Sequence, residues 1–324
     1  MILRVGVIGS GVMGAEHVRL LREETAMASV AAVCDADATR AKAFAEGAAS
    51  FTDPLALIAD PGVDAVVIAS PDATHASLAL ACIAAGKPVL CEKPLAPTAE
   101  EALRVVTAEV QAGRRLVQVG YMRRFDPAYV EMRRSRHAGE IGDAVLLHNT
   151  HRNAAAPEWF TGAMAVTNSF VHEIDISRWL LDYEMASARV LQGPGGDPLL
   201  IQMETDQGQI VSTEVFMNAR YGYHVHAQLV GREGTVEMAA PTATQTNQSR
   251  HHGHAWPENW VPRFRDAYRN QMNAWVRSVR TGKPIGASAW DGYVATAIAE
   301  QVVTALQTGD TARLSLGVRP DLYS

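Results

Sequence analysis

Three short stretches of this chain hold the residue types that chemistry needs. Gly9-Ser10-Gly11-Val12-Met13-Gly14 directly follows an apolar run. Glycines at that spacing permit a tight turn, let backbone approach a pyrophosphate and let the next helix pack closely on the strand. The N–H groups that open such a helix then hold the phosphate. Cys91-Glu92-Lys93-Pro94 closes a second apolar run and places an amine at a strand end, where ligands bind in an open α/β sheet. Val171-His172-Glu173-Ile174-Asp175 sets an imidazole beside carboxylates. A phosphate cradle, an amine and an imidazole suit a redox reaction that must also move a proton.

The cradle has an acidic companion. Asp35 lies about 20 residues past the glycines at the end of the next apolar run, where a carboxylate accepts hydrogen bonds from adenosine ribose hydroxyls. It would repel a 2′-phosphate, and with Asp37 close by it favours NAD over NADP. Asp35 is also placed to cap the following helix, but Asp37 or Thr39 can do that equally well. Arg40 is the one nearby cation, and it is expected on the helix surface. Ser70, Pro71, Thr74 and His75 follow the third apolar run and border the nicotinamide half, with Glu92 and Lys93 beside them. His75 serves equally well as a helix-start residue. Next to an oxidised nicotinamide, the like charge disfavours the protonated form of Lys93, which can then share in accepting a hydroxyl proton. Without that cofactor, Lys93 is a solvated strand-end lysine.

Asn168, His172 and Asp175 are spaced i, i+4 and i+7, which puts them on one face of a helix. Amide, imidazole and carboxylate together offer donors and acceptors to adjacent hydroxyls of a polyol. The plain alternative is a solvated helix face. Arg123, His151 and Asn153 end or begin predicted elements and are further candidate substrate contacts. His251, His252 and His254 invite a metal reading, but one loop without a carboxylate or cysteine at zinc-site spacing points instead to a surface or subunit contact. No metal is expected.

These residues need positioning by elements the pattern also predicts. Up to about residue 120, short β-branched runs alternate with alanine-rich helical stretches, the pattern of parallel βαβ units. The strands are Ile2–Ile8, Val30–Cys34, Ala65–Ala69, Val89–Cys91 and Leu116–Val119, all too apolar for one wet face. Asp72 to Ala85 and Thr98 to Ala112 read as helices, the second opening on a Thr98–Glu101 capping box. After Tyr121 come a helix over Pro127 to Ser135 and alternating strands near 144–152, 199–204, 208–218 and 224–238. A loop at 241–262 precedes helices over Arg263 to Arg280 and near 290–307. The expected fold is an N-terminal Rossmann doubly wound parallel sheet over 1–120. An α/β domain with an open, mostly antiparallel sheet is expected over 121–324.

Composition narrows the partners. The 324 residues are 48% hydrophobic and 20% charged with net charge −6, so a packed core is expected and a phosphate-neutralising basic surface is not. A small molecule is the better partner than nucleic acid or membrane, since the longest apolar runs fall far short of the ~20 residues a spanning helix needs. No signal-peptide pattern opens the chain, and three cysteines in apolar segments read as reduced thiols, so a cytoplasmic protein is expected.

Taken together, the glycine turn, Ser70-Pro71-Asp72-Ala73-Thr74-His75, Glu92-Lys93-Pro94, Tyr121-Met122-Arg123-Arg124-Phe125 and the His172 stretch resemble the Gfo/Idh/MocA oxidoreductase family over nearly the whole length. Within it the chain looks most like the inositol 2-dehydrogenase branch. The resemblance implies NAD-linked oxidation of a secondary alcohol on a cyclitol or sugar, and a homo-oligomer, dimer or tetramer, built through the open sheet. It also implies Lys93 and His172 as catalytic residues and Arg123, His151 and Asp175 as substrate contacts. One departure stands out: four residues before the histidine the branch carries aspartate, and this chain has Asn168. An amide positions a hydroxyl but cannot stabilise a protonated histidine as a carboxylate does. A sugar or glycoside dehydrogenase or reductase, and a non-catalytic NAD-binding regulator, are the alternatives.

Overall fold

The computed structural model describes residues 2–160, 162–239 and 244–324. The first half of the chain runs β1 (Leu3–Ile8), α1 (Val12–Glu23), β2 (Ala28–Cys34), α2 (Ala38–Ala45), β3 (Ala49–Phe51), α3 (Pro54–Ala59), β4 (Ala65–Ile68), α4 (His75–Ala84), β5 (Val89–Cys91), α5 (Ala99–Ala112), β6 (Val117–Val119) and α6 (Pro127–His137). Local chemistry sets the helix starts. Asp37 caps α2 by accepting from the N–H groups of Thr39 and Arg40, Asp53 caps α3 ahead of Pro54, and Thr98 accepts from Glu101 N at the head of α5. Gly113, in the left-handed region at φ +66°, ends α5.

The second half begins with β7 (Ala144–Arg152), the α7 turn (Gly162–Met164), a π-helical stretch (Ala165–Phe170), α8 (Val171–Leu181), β8 (Met185–Gln192), β9 (Leu199–Thr205) and β10 (Ile210–Phe216). It continues with β11 (His224–Gly231), β12 (Thr235–Glu237), β13 (Thr246–Gln248), β14 (His251–Gly253), α9 (Trp260–Thr281), β15 (Ala287–Ser288), α10 (Ala289–Thr308) and β16 (Ala312–Arg313).

Two compact units result. The first gathers Met1–Met122, Tyr268–Ala297 and Gly317–Ser324, the second Arg123–Ala267 and Ile298–Leu316. By packing, Tyr268–Ala297 and the last residues join the first unit although they follow the second in the chain. The reason is apolar burial: Met272, Trp275 and Val276 complete the core formed by Leu3, Val5, Val7, Val18, Leu21 and Leu90.

In the first unit the sheet order is β15-β6-β5-β4-β1-β2-β3, parallel except for the edge strand β15. Strand order reverses between β1 and β4, so their carboxyl ends make the crevice where such sheets bind ligands. The second unit holds a sheet in the order β12-β11-β7-β10-β9-β8-β16, antiparallel except for the β7–β10 pair. On one face of it Leu147, Asn149, His151, Val211, Thr213 and Val215 are buried, with Asn149 reaching Ser177 of α8. On the other face Leu146, Thr150, Ser212 and Glu214 are half-buried and His148 is exposed.

The expected strands and helices appear with shifts at their ends, and four differences have physical causes. Strand β8 was not anticipated, because a register shift between Met185 and Ser187 breaks its alternation. The two edge strands β3 and β15 are too short to leave a pattern. The expected strand 224–238 is a hairpin, β11 and β12 folding back at Arg232-Glu233-Gly234. The expected loop at 241–262 contains the β13–β14 hairpin and the start of α9, and its residues 241–243 lie outside the described ones.

Candidate active site

The glycine turn builds its cradle as the spacing requires. Gly9 has φ +89°, and a Cβ there would come within 2.5 Å of the Ala69 carbonyl across the β1–β4 crevice. A Cβ on Gly14 would fall 1.8 Å from the Gly9 oxygen, so only glycine lets α1 approach β1 so closely. At Gly11, the N-cap of α1, an added Cβ would meet nothing within 4 Å, and no side chain caps the helix. That is open space in front of a helix N-terminus, the geometry that receives a phosphate. Val12 is exposed, and Met13 is half-buried on the opening turn of α1.

A cavity of about 900 Å³ opens from this turn, lined by Gly9, Gly11, Asp35, Arg40, Ser70 and Thr74 among others. Pro71 also lines it, whereas His75 is buried below, with Nε2 2.8 Å from the Ser70 carbonyl and Nδ1 2.7 Å from that of Pro94. Asp35 is tightly held. Its Oδ2 accepts from Ser10 N at 2.9 Å and Ser10 Oγ at 2.7 Å, and its Oδ1 from Asp37 N at 3.0 Å and Arg40 Nη2 at 2.7 Å. The Arg40 hydrogen bond first, then those from Asp37 and Ser10, hold the carboxyl well below the usual carboxylate range. Arg40 thus does more than decorate the helix surface. The cradle, the helix start and an ionised Asp35 fit NAD.

Lys93 ends the run after β5 and is the one half-exposed residue between Val89 and Ala96, all the others being buried. Its own N–H donates to Glu92 Oε2 at 3.3 Å. Glu92 Oε1 in turn lies 2.8 Å from His17 Nε2, both side chains being buried. Glu92 therefore holds the lysine segment rather than lining the cavity. His17 went unnoticed in the sequence, although it stands three residues after Gly14 on the buried side of α1.

In the second unit α8 is a buried helix, every residue but Trp179 being buried. That rules out a solvated face. Asn168 sits in the π-helical stretch that leads into α8, and Thr167 Oγ1 donates to its Oδ1 at 3.1 Å. His172 is 8% exposed, at the head of α8. Asp175 is fully buried, and Arg124 donates to it in bidentate fashion, Nε to Oδ2 at 2.9 Å and Nη2 to Oδ1 at 2.6 Å.

Arg123 and His151 converge on a residue the sequence reading passed over. Arg123 Nη1 donates to Glu173 Oε1, and His151 Nδ1 lies 3.0 Å from the same oxygen and 3.1 Å from Oε2. The same Nδ1 lies 3.2 Å from Arg123 Nη2, so the three side chains form one cluster. Burial pushes the Glu173 carboxyl up, but the charges of Arg123 and His151 outweigh it and hold the group below its ordinary value. Arg123 is 1% exposed and lies over the Phe264 ring. Arg123 and His151 thus both hold Glu173, and Asp175 holds Arg124. Asn153 Nδ2 donates to Met217 Sδ at 3.4 Å. The signal for Glu173 was its place inside the His172 stretch, where a second acidic residue on a buried helix must have a cation.

Among the described residues, no group of three or more histidine, cysteine, aspartate or glutamate side chains could hold a metal ion, and no helix is long and apolar enough to cross a membrane. A family model described as an oxidoreductase family with an NAD-binding Rossmann fold matches residues 3–121, and its C-terminal α/β domain matches 137–314. Inositol 2-dehydrogenase 1 of Saccharopolyspora erythraea is 50% identical, over 100% of this chain and 99% of that protein. Inositol 2-dehydrogenase of Paracoccus denitrificans is 40% identical, over 100% of both. The crystal structure of myo-inositol dehydrogenase from Lactobacillus casei in complex with NAD(H) and myo-inositol superposes with TM-score 0.95 at 30% identity, covering 100% of both chains. The chain belongs to the Gfo/Idh/MocA family of oxidoreductases, with its NAD-binding Rossmann fold and its C-terminal α/β domain.

Proposed function

We propose that the protein is an NAD-dependent dehydrogenase that oxidises a secondary alcohol of a cyclitol, an inositol first of all, to the ketone. The observation that carries this reading is the full-length identity with inositol 2-dehydrogenases, on a chain whose Asp35 carboxylate is ionised in a glycine-lined cavity. NAD supplies the hydride acceptor when bound. The chain supplies the rest: Ser10 and Asp37 fix Asp35 for the ribose hydroxyls, and the start of α1 faces the pyrophosphate. Lys93 Nζ and the His172 imidazole take the hydroxyl proton as the C–H bond gives up its hydride. Arg123, His151, Glu173, Arg124 and Asp175 act as positioning residues that hold α8, and with it His172, in place.

The half-buried face of the second sheet, with Leu146, Leu200 and Phe216 among polar residues, supports a homo-oligomer assembled there. Three buried, unpaired thiols, Cys34, Cys82 and Cys91, support a reducing compartment such as the cytoplasm. A screen of inositols, pentoses, hexoses and glycosides for NADH formation tests the reading, and light scattering tests the assembly.

A further inference from the structure

Asp35 has no spare acceptor position. A carboxylate offers about four lone-pair sites, and Ser10 N, Ser10 Oγ, Asp37 N and Arg40 Nη2 take one each. Ribose hydroxyls that bind this group must displace a donor. Two of the donors are backbone N–H groups fixed by the β1 and β2 turns, and the third is the buried Ser10 hydroxyl. The fourth is a long side chain, 49% exposed, whose guanidinium makes no other hydrogen bond among the described residues. Arg40 is the partner that yields, and it stays beside the ribose edge when it does.

We infer that Arg40 is a cofactor-specificity residue, a latent ligand for a 2′-phosphate that Asp35 keeps silent. This rests on the reading of the cavity as the NAD site. While Asp35 is present, it repels a 2′-phosphate and also neutralises Arg40, the one cation among the described residues that line the cavity. Removing the carboxylate reverses both effects at once, because a planar guanidinium already stands in the cavity wall with its donor fork open to phosphate oxygens. No added lysine or arginine is then needed for NADP use.

The probe is 2′,5′-ADP against 5′-ADP, titrated by calorimetry into wild type, Asp35→Ser and Asp35→Ser/Arg40→Ala. Asp35→Ser should bind 2′,5′-ADP about 10- to 100-fold tighter than wild type does, the usual worth of a hydrogen bond to a charged group. The double variant should lose that gain, and kcat/KM for NADP should follow the same order. Asp35→Asn keeps the side-chain volume and serves the same test if Asp35→Ser does not fold. A double variant that binds 2′,5′-ADP as tightly as Asp35→Ser overturns the role of Arg40, as does an Asp35→Ser protein that binds 5′-ADP but gains nothing from the 2′-phosphate. Wild type that binds neither 5′-ADP nor NADH would remove the cavity reading itself, and the inference with it.

Discussion

His17 Nε2 lies 2.8 Å from Glu92 Oε1 with both side chains buried, which joins the helix that opens on the glycine turn to the strand end that carries Lys93. The glycine turn and the segment that carries Lys93 thus share one buried connection. His17→Phe would leave the buried Glu92 oxygen without its partner. It should cost about 1–3 kcal/mol of stability, the desolvation of an unmet acceptor, read from the urea midpoint. It should also lower kcat through the shifted lysine segment, while an unchanged kcat would detach the pair from catalysis.

Lys93 itself should matter more. Lys93→Ala is expected to lose roughly 10²–10⁴-fold in kcat, the scale of a positioned acid–base group, with NADH affinity nearly unchanged. Stopped-flow turnover together with a fluorescence titration separates the two quantities. Normal turnover would take Lys93 out of the mechanism.

The Arg123–Glu173–His151 cluster gives a pH signature. Glu173 is held below its ordinary value in the folded protein, so folding favours its ionised form. Its contribution is fully present above the unfolded glutamate value of about 4.3 and disappears as pH falls from there through the lower folded value. Glu173→Gln should therefore flatten the acid limb of stability against pH. At neutral pH it should cost about 3–5 kcal/mol, because Arg123 would be left buried without its counter-charge. Chemical denaturation across the acid range is the measurement, and parallel curves for both proteins would contradict the assignment.

At residue 168 this chain differs from the aspartate that its resemblance leads one to expect. Asn168→Asp adds a carboxylate four residues before His172, which should favour the protonated imidazole and move the pH profile of kcat/KM to higher pH. The ranking of inositols against other sugars should move with it. Superimposable profiles and rankings would place residue 168 outside the site.

The Rossmann unit was readable because its signals are local: glycines at fixed spacing, β-branched runs too apolar for a wet face, and caps such as Asp37 and Thr98 within a few residues of what they cap. The long-range partners were not readable. His17 on Glu92 and Glu173 between Arg123 and His151 depend on which face each helix buries. The return of Met272 and Trp275 to the first core was hidden for the same reason, since an amphipathic helix does not announce which sheet it covers.

The most direct test is the reaction itself. Purified protein with NAD and myo-inositol should produce NADH in proportion to enzyme, at a kcat/KM above that for pentoses, hexoses and glycosides, and His172→Ala should suppress it. Protein that binds NAD yet forms no NADH from any inositol would contradict the proposed function.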